Sequence, residues 1–232
     1  RFGSVVPIAS NAAPSAIYNM FDQYYASQDP AGGWDPGPSG HEASGGVINE
    51  YSTPPGAVYR SHIFTSTGTF QITTLGNSFG ATVDVLLVGG GGGGGASGGG
   101  GGAGGFLESP AVPVSATSYP IVVAGGGAGG PAGSNRGGTT PAPAATNGGN
   151  TTGFSLTAYG GGRGGMEAPD GSDRGGGPGG SGGGASGTPD ASTEGGGDGN
   201  KQTGSGTDIP GPQGPQGNNG GDSGSGPGGG GG

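Results

Sequence analysis

The side chains able to do chemistry in the second half of this chain sit in short polar segments between glycine runs: Ser134-Asn135-Arg136, Arg163 with Met166-Glu167-Ala168-Pro169-Asp170, Asp173-Arg174, and Asn200-Lys201-Gln202. Guanidinium forks and amides bond the hydroxyls of carbohydrate, or phosphate oxygens, in a defined plane. Asn135, Arg136, Arg163, Met166, Asp170, Arg174 and Lys201 are therefore expected to form a contact surface, and the bland alternative is that they are soluble turns. A reaction centre is not expected. His41 lies in a turn-rich stretch and His62 in a strand-like one, neither with a nucleophile close in sequence, and cysteine is absent, which removes thiolate chemistry and disulfides. The pattern GxGxxG recurs only because glycine does, and Lys201 has no phosphate-loop context. Asp170, Asp173, Asp190, Glu194 and Asp198 are spaced like calcium ligands around Gly195-Gly196-Gly197-Asp198-Gly199-Asn200, but the nonapeptide repeat of calcium-binding β-helices is missing. No metal, no cofactor and no enzymatic activity are expected.

Charge and hydropathy narrow the classes further. Six Lys and Arg against fifteen Asp and Glu give a net charge of −9, so there is no basic stripe to neutralise a phosphate backbone and no nucleic-acid partner is expected. No stretch approaches the roughly 20 apolar residues of a membrane span, and the front carries no secretory signal pattern. Because the chain opens on Arg1, its N-terminus is expected to be processed or to lie further upstream.

What positions the polar segments is glycine. Of 69 glycines, 11 lie before Val88 and 58 after it. The chain is organised around residues 83–105, where the strand-like Val83-Asp84-Val85-Leu86-Leu87-Val88 passes directly into seven glycines and then a second run at 98–102. A single run is a flexible tether. Several side by side can form polyproline-II (polyglycine-II) helices, about 3 residues per turn, which make no internal hydrogen bonds and so pair with neighbours. Leu, Ile, Val and Phe number only 30 of 232 residues, a level usually read as disordered. Order therefore requires dense backbone pairing, with glycine bringing backbones close.

Three regions follow. Residues 1–45 read as an attachment arm: Ser15 can cap a short helix whose face is Ile17, Met20, Phe21, Tyr24 and Tyr25, and residues 30–46, with Trp34, read as a hinge of turn chemistry. The helix is too short to stand alone, so this face with Trp34 is expected to dock, on the chain's own body or on a partner. Residues 46–160 read as a small antiparallel β sandwich with inserted glycine runs, its strands at 46–51, 57–65, 69–74, 82–88, 106–109, 112–114, 119–123 and 154–159. Residues 161–232 read as a glycine-rich polyproline-II bundle with loops. The fold class is mainly β, with few α-helices. Gly211-Pro212-Gln213-Gly214-Pro215-Gln216-Gly217 is collagen-like, but its glycine frame fails at Ser223, and a collagen triple helix requires that frame.

The ordered series His62-Ile63-Phe64-Thr65, Gly68-Thr69-Phe70, residues 83–88 into glycine, Gly104-Gly105-Phe106-Leu107-Glu108, Val112-Pro113-Val114, residues 119–130, Asn147-Gly148-Gly149-Asn150-Thr151-Thr152 and Leu156-Thr157-Ala158-Tyr159-Gly160-Gly161-Gly162 resembles the glycine-rich domain of tailed-bacteriophage tail fibre and adhesin proteins, over about residues 58–165. The resemblance implies a virion protein, a homotrimer or tip-mounted, held to other virion proteins through its N-terminal segment. Its inter-glycine loops would touch a host surface glycan or outer-membrane protein, without membrane insertion. Two alternatives stand beside it: a purely structural head fibre, collar or baseplate piece, and a non-viral extracellular glycine-rich or ice-binding protein.

Overall fold

The computed structural model describes residues 40–53, 57–77, 80–96, 98–131, 145–166, 174–187, 195–199, 215–223 and 229–230. The predicted arm face of Ile17, Met20, Phe21, Tyr24, Tyr25 and Trp34 lies outside these residues. Within them the chain is mainly β, with small antiparallel sheets and no helix.

Nine strands form: β1 Glu42–Ser44, β2 Val47–Thr53, β3 Ala57–Ile63, β4 Gly68–Thr74, β5 Thr82–Val88, β6 Phe106–Pro113, β7 Ser118–Ile121, β8 Thr151–Gly153 and β9 Leu156–Ala158. They pair as β1-β4-β7, β2-β3, β5-β6 and β8-β9, all antiparallel. Strand β1 falls inside the stretch expected to be hinge. Its side chains gave little periodic signal over three residues, and its partner β4 holds it in place.

Alternation sets the buried faces. In β4, Phe70 and Ile72 turn inward, and with Val114 and Ile121 they make one core. In β5, Val85 and Leu87 turn inward, and with Leu107 and Ala158 they make a second. Val83 and Phe154 pack against both cores and join them.

Phe154 and Ser155 are the two central residues of the β8-β9 hairpin, at φ 54° and 61°. Two positive φ values in a two-residue loop give the primed turn that matches strand twist. Phenylalanine is costly there. Its ring, however, stacks on Tyr119 with centroids 4.7 Å apart and meets Phe70 at 5.7 Å, and this packing offsets the strain. In β6, the pairing with β5 shifts between Val83 and Val85; the Ala111 N–H, freed at φ 54°, donates to Asp84 Oδ1 at 2.9 Å.

Glycine runs leave this strand cluster directly. The first, residues 89–95, continues β5 and has four neighbours. Gly89, Gly92 and Gly95 donate to Gly105, Gly102 and Gly99 of the second run, 98–105, at 2.9, 2.8 and 2.9 Å. Gly90 and Gly93 donate to Gly149 and Thr146 of the fourth run, 145–149, at 3.0 Å each. The oxygens of Gly91 and Gly94 accept from Gly127 and Gly130 of the third run, 125–130, at 2.8 and 2.9 Å. Those of Gly90 and Gly93 accept from Gly161 and Gly164 of the fifth, 159–165, at 2.8 Å each. Every neighbour is met at intervals of three residues, which is the repeat of a threefold extended helix.

The same steps give the chain direction. Partner numbers descend between the first and second runs, and between the second and fifth, where Gly99, Gly102 and Gly105 donate to Gly165, Gly162 and Tyr159. They ascend between the first run and the third and fifth. The sixth run, 174–180, opposes the fifth; the seventh, 181–186, is parallel to the fifth, since Gly162 and Gly165 donate to Ser181 and Gly184. The eighth, 195–199, is parallel to the sixth, and the ninth, 215–222, to the seventh. Each successive run thus reverses the one before it, and runs on either side of residue 160 bond to one another.

Close approach explains why these positions are glycine. A Cβ on Gly164 would lie 2.0 Å from Gly99 O, and one on Gly99 would lie 1.8 Å from Gly184 O. At Gly94 and Gly125 it would meet nothing within 4 Å.

Candidate functional site

Alternating run direction sorts the starts and finishes of the runs into two ends. At the near end stand the strands, the 180-to-181 step from the sixth to the seventh run, and Gln216 at the start of the ninth. At the far end the first run turns into the second, where Gly95 donates to Gly99 at 2.9 Å. The chain also leaves the far end at Pro131 and returns at Ala145, leaves after Met166 and returns at Arg174, and leaves after Gly187 and returns at Gly195.

Asn135, Arg136, Asp170 and Lys201 lie outside the described residues. Three described candidates differ among themselves. Arg174 is half-buried at the far end, and its carbonyl accepts from Ser186 N–H at 2.8 Å. Arg163 lies inside the fifth run rather than in a loop. Its N–H donates to Asn147 Oδ1 and its oxygen accepts from Gly177 N–H, both at 2.8 Å.

Met166 requires correction as a contact residue. It is 2 % exposed, because the run that carries it is interior and its apolar side chain is drawn into the bundle. At that burial its side chain is packed inside the scaffold rather than presented at its surface.

Sequence reasoning passed over a set of polar side chains that stand in for backbone. Gln216 Oε1 accepts from Tyr159 N–H at 2.9 Å, its Nε2 donates to Thr157 O at 2.8 Å, and its carbonyl accepts from Phe106 N–H at 3.0 Å. It clips the ninth run to the strand cluster, and it is 5 % exposed. Asn147, besides holding Arg163, donates from Nδ2 to Pro178 O at 3.1 Å. Asn150, Asn219 and Asp222 each accept a glycine N–H through Oδ1, from Gly160, Gly199 and Gly196. The signal was available: an isolated amide or carboxylate inside a glycine run has few uses other than completing a hydrogen bond.

Both histidines are structural. Gly76 N–H donates to His41 Nδ1 at 2.9 Å, which makes Nε2 the protonated nitrogen, and this donates to Thr82 O at 3.0 Å. His62 Nδ1 donates to Gly45 O at 2.7 Å while its ring meets Phe70 edge-on at 4.9 Å. Among the described residues no three His, Asp or Glu side chains gather as metal ligands; Asp198 instead offers its carbonyl to Gly179 N–H at 3.0 Å.

A strand cluster that launches glycine runs of alternating direction, bonded to one another through their backbones, defines a glycine-rich scaffold. The chain belongs to the family of the glycine-rich domain, which it matches over residues 65–232. No curated protein and no solved structure matches it.

Proposed function

We propose that this protein is a virion component of a tailed bacteriophage, a tail fibre or tail-tip adhesin, whose far-end connections bind a glycan or outer-membrane protein on the host surface. One observation carries the reading: run reversal brings the points where the chain leaves and re-enters the hydrogen-bonded scaffold, Pro131 and Ala145, Met166 and Arg174, and Gly187 and Gly195, to one end of it, so that three connections start and finish there. Glycine backbone already used in pairing has nothing left for recognition, so contact falls to the side chains of these connections. A scaffold that fixes the loop ends beforehand lowers the ordering cost of binding, and several copies on one particle let weak contacts hold a cell. Residues 1–45 serve as the attachment to other virion proteins, in a homotrimer, and the protein works outside the cell, on the virion.

Arg136→Ala with Arg174→Ala is expected to lower adsorption of particles to host cells about tenfold, with particle assembly intact. Adsorption untouched by the arginine changes overturns the adhesin reading. The burial of Met166 and the use of Arg163 inside the bundle favour a second reading, a structural virion decoration such as a head fibre, collar or baseplate piece. Failed assembly in the same arginine variants would select it.

A further inference from the structure

The ribbon of β2 and β3 is unfinished. It pairs rung by rung from Val47↔Ile63 to Thr53↔Ala57, and among the described strands neither outer edge has a neighbour. Val47, Ile48, Tyr51, Val58, Tyr59 and Ile63 are 47 to 68 % exposed, a larger group than Leu86, Val88 and Phe106, the other exposed apolar side chains gathered on a described strand pair. A two-stranded ribbon alone is marginal in water, and open edges with apolar faces invite another strand.

We infer that the ribbon is the self-association surface of this protein, with the β3 edge of one copy pairing antiparallel to the β2 edge of the next. The charge pattern selects this partner. Glu50 and Arg60 face each other within the ribbon, Arg60 Nε donating to Glu50 Oε1 at 2.8 Å, so the ribbon is neutral in a chain of net charge −9. It is a place where two such chains can meet without like charges in contact. The acid is on β2 and the base on β3. Pairing β2 with β2 in centred register sets Glu50 against Glu50, which is unfavourable. Head-to-tail pairing in the register already used inside the ribbon sets Arg60 against Glu50 of the next copy.

That register also matches the remaining rungs. Tyr51 and Tyr59 stack within the ribbon, with centroids 5.2 Å and planes 14° apart, and the next copy extends the stack. Ile63 meets Val47 of the next copy. Tyrosine anchors of this kind are enriched at protein interfaces. Because the contact is head-to-tail, it closes into a ring when the rotation per copy permits.

The full chain is tested by sedimentation between roughly 1 and 100 µM, the range that resolves moderate affinities. The parent is expected to associate. E50R alone and R60E alone place like charges on the rung between copies and weaken association about tenfold or more. The double variant E50R/R60E restores both rungs and associates like the parent, which shows that these positions accept the changes. The decisive sample is an equal mixture of the two single variants, in which the E50R edge meets the R60E edge and association returns. A parent that stays monomeric at the highest concentration, single variants that associate like the parent, or a mixture that stays dissociated each overturn the inference.

Discussion

Glycine is used here for the distance it permits between backbones, and the structure separates positions where that distance is needed from positions where it is not. Gly164 sits where a Cβ would be 2.0 Å from Gly99 O and 2.7 Å from Gly95 N, both backbone atoms fixed by their own bonds. Gly94, in the run beside it, faces open space. Gly164→Ala is therefore expected to destabilise by about 3 kcal/mol, as overpacking does when the neighbours cannot move. Gly94→Ala is expected to be neutral or to stabilise by about 0.5 kcal/mol by restricting the unfolded chain. Paired thermal melts of the two variants check this, and equal losses would remove close packing as the reason for glycine. At the same scale, Gln216→Leu removes two side-chain bonds to Tyr159 and Thr157, for a loss of about 2 kcal/mol. Hydrogen exchange over residues 215–223 is expected to quicken first.

Among the elements, the β8-β9 hairpin bears the most weight for its size. Its Phe154 occupies a backbone region unfavourable for its type and joins the two cores. Phe154→Ala is expected to cost about 3 kcal/mol, the usual range for a large aromatic truncated in a core. Phe154→Gly relieves the φ strain while losing the same ring, so it should be less destabilised than the alanine variant; a glycine variant that melts no higher than the alanine one would show that strain contributes nothing. This hairpin also marks where sequence was and was not legible. Strand β5 was readable because β-branched and aliphatic residues alternate for seven positions before glycine stops them. The run at 154–159 read as one strand, since Phe154 looks like a strand residue and nothing local announces a turn with two non-glycine residues at positive φ. β1 was invisible for a similar reason: three residues carry too little pattern, and their strand conformation comes from β4.

At the scale of the molecule, the sequence showed that many glycine runs exist and that they must pair, but not which runs pair. A glycine carries no side chain to identify its neighbour, so partner choice rests on sparse residues such as Gln216, Asn147 and Asn219, together with the strands that fix where five of the runs begin or end. For the same reason the contact candidates could be named but not sorted: Arg163 and Met166 follow glycines as any loop residue would, and only run direction shows that they lie within the bundle. The strands and runs share this dependence. β5 continues into the first run, the second run feeds β6, the fourth feeds β8, and the fifth leaves β9, so neither part can unravel without releasing the ends of the other. Unfolding is expected to be one transition. Aromatic near-ultraviolet signal, which reports Phe70, Tyr119 and Phe154 in the strand cluster, should vanish at the same temperature as protection of the glycine amides at 99, 102, 161, 162, 164 and 165, within the error of the two probes. Phe154→Ala should lower both midpoints equally, although the aromatic contacts of that ring are with Phe70 and Tyr119 of the strands. If the glycine amides instead exchanged well below the aromatic transition, or kept their midpoint in the variant, the bundle would be an independently stable unit, and the strands would not be what sets its register.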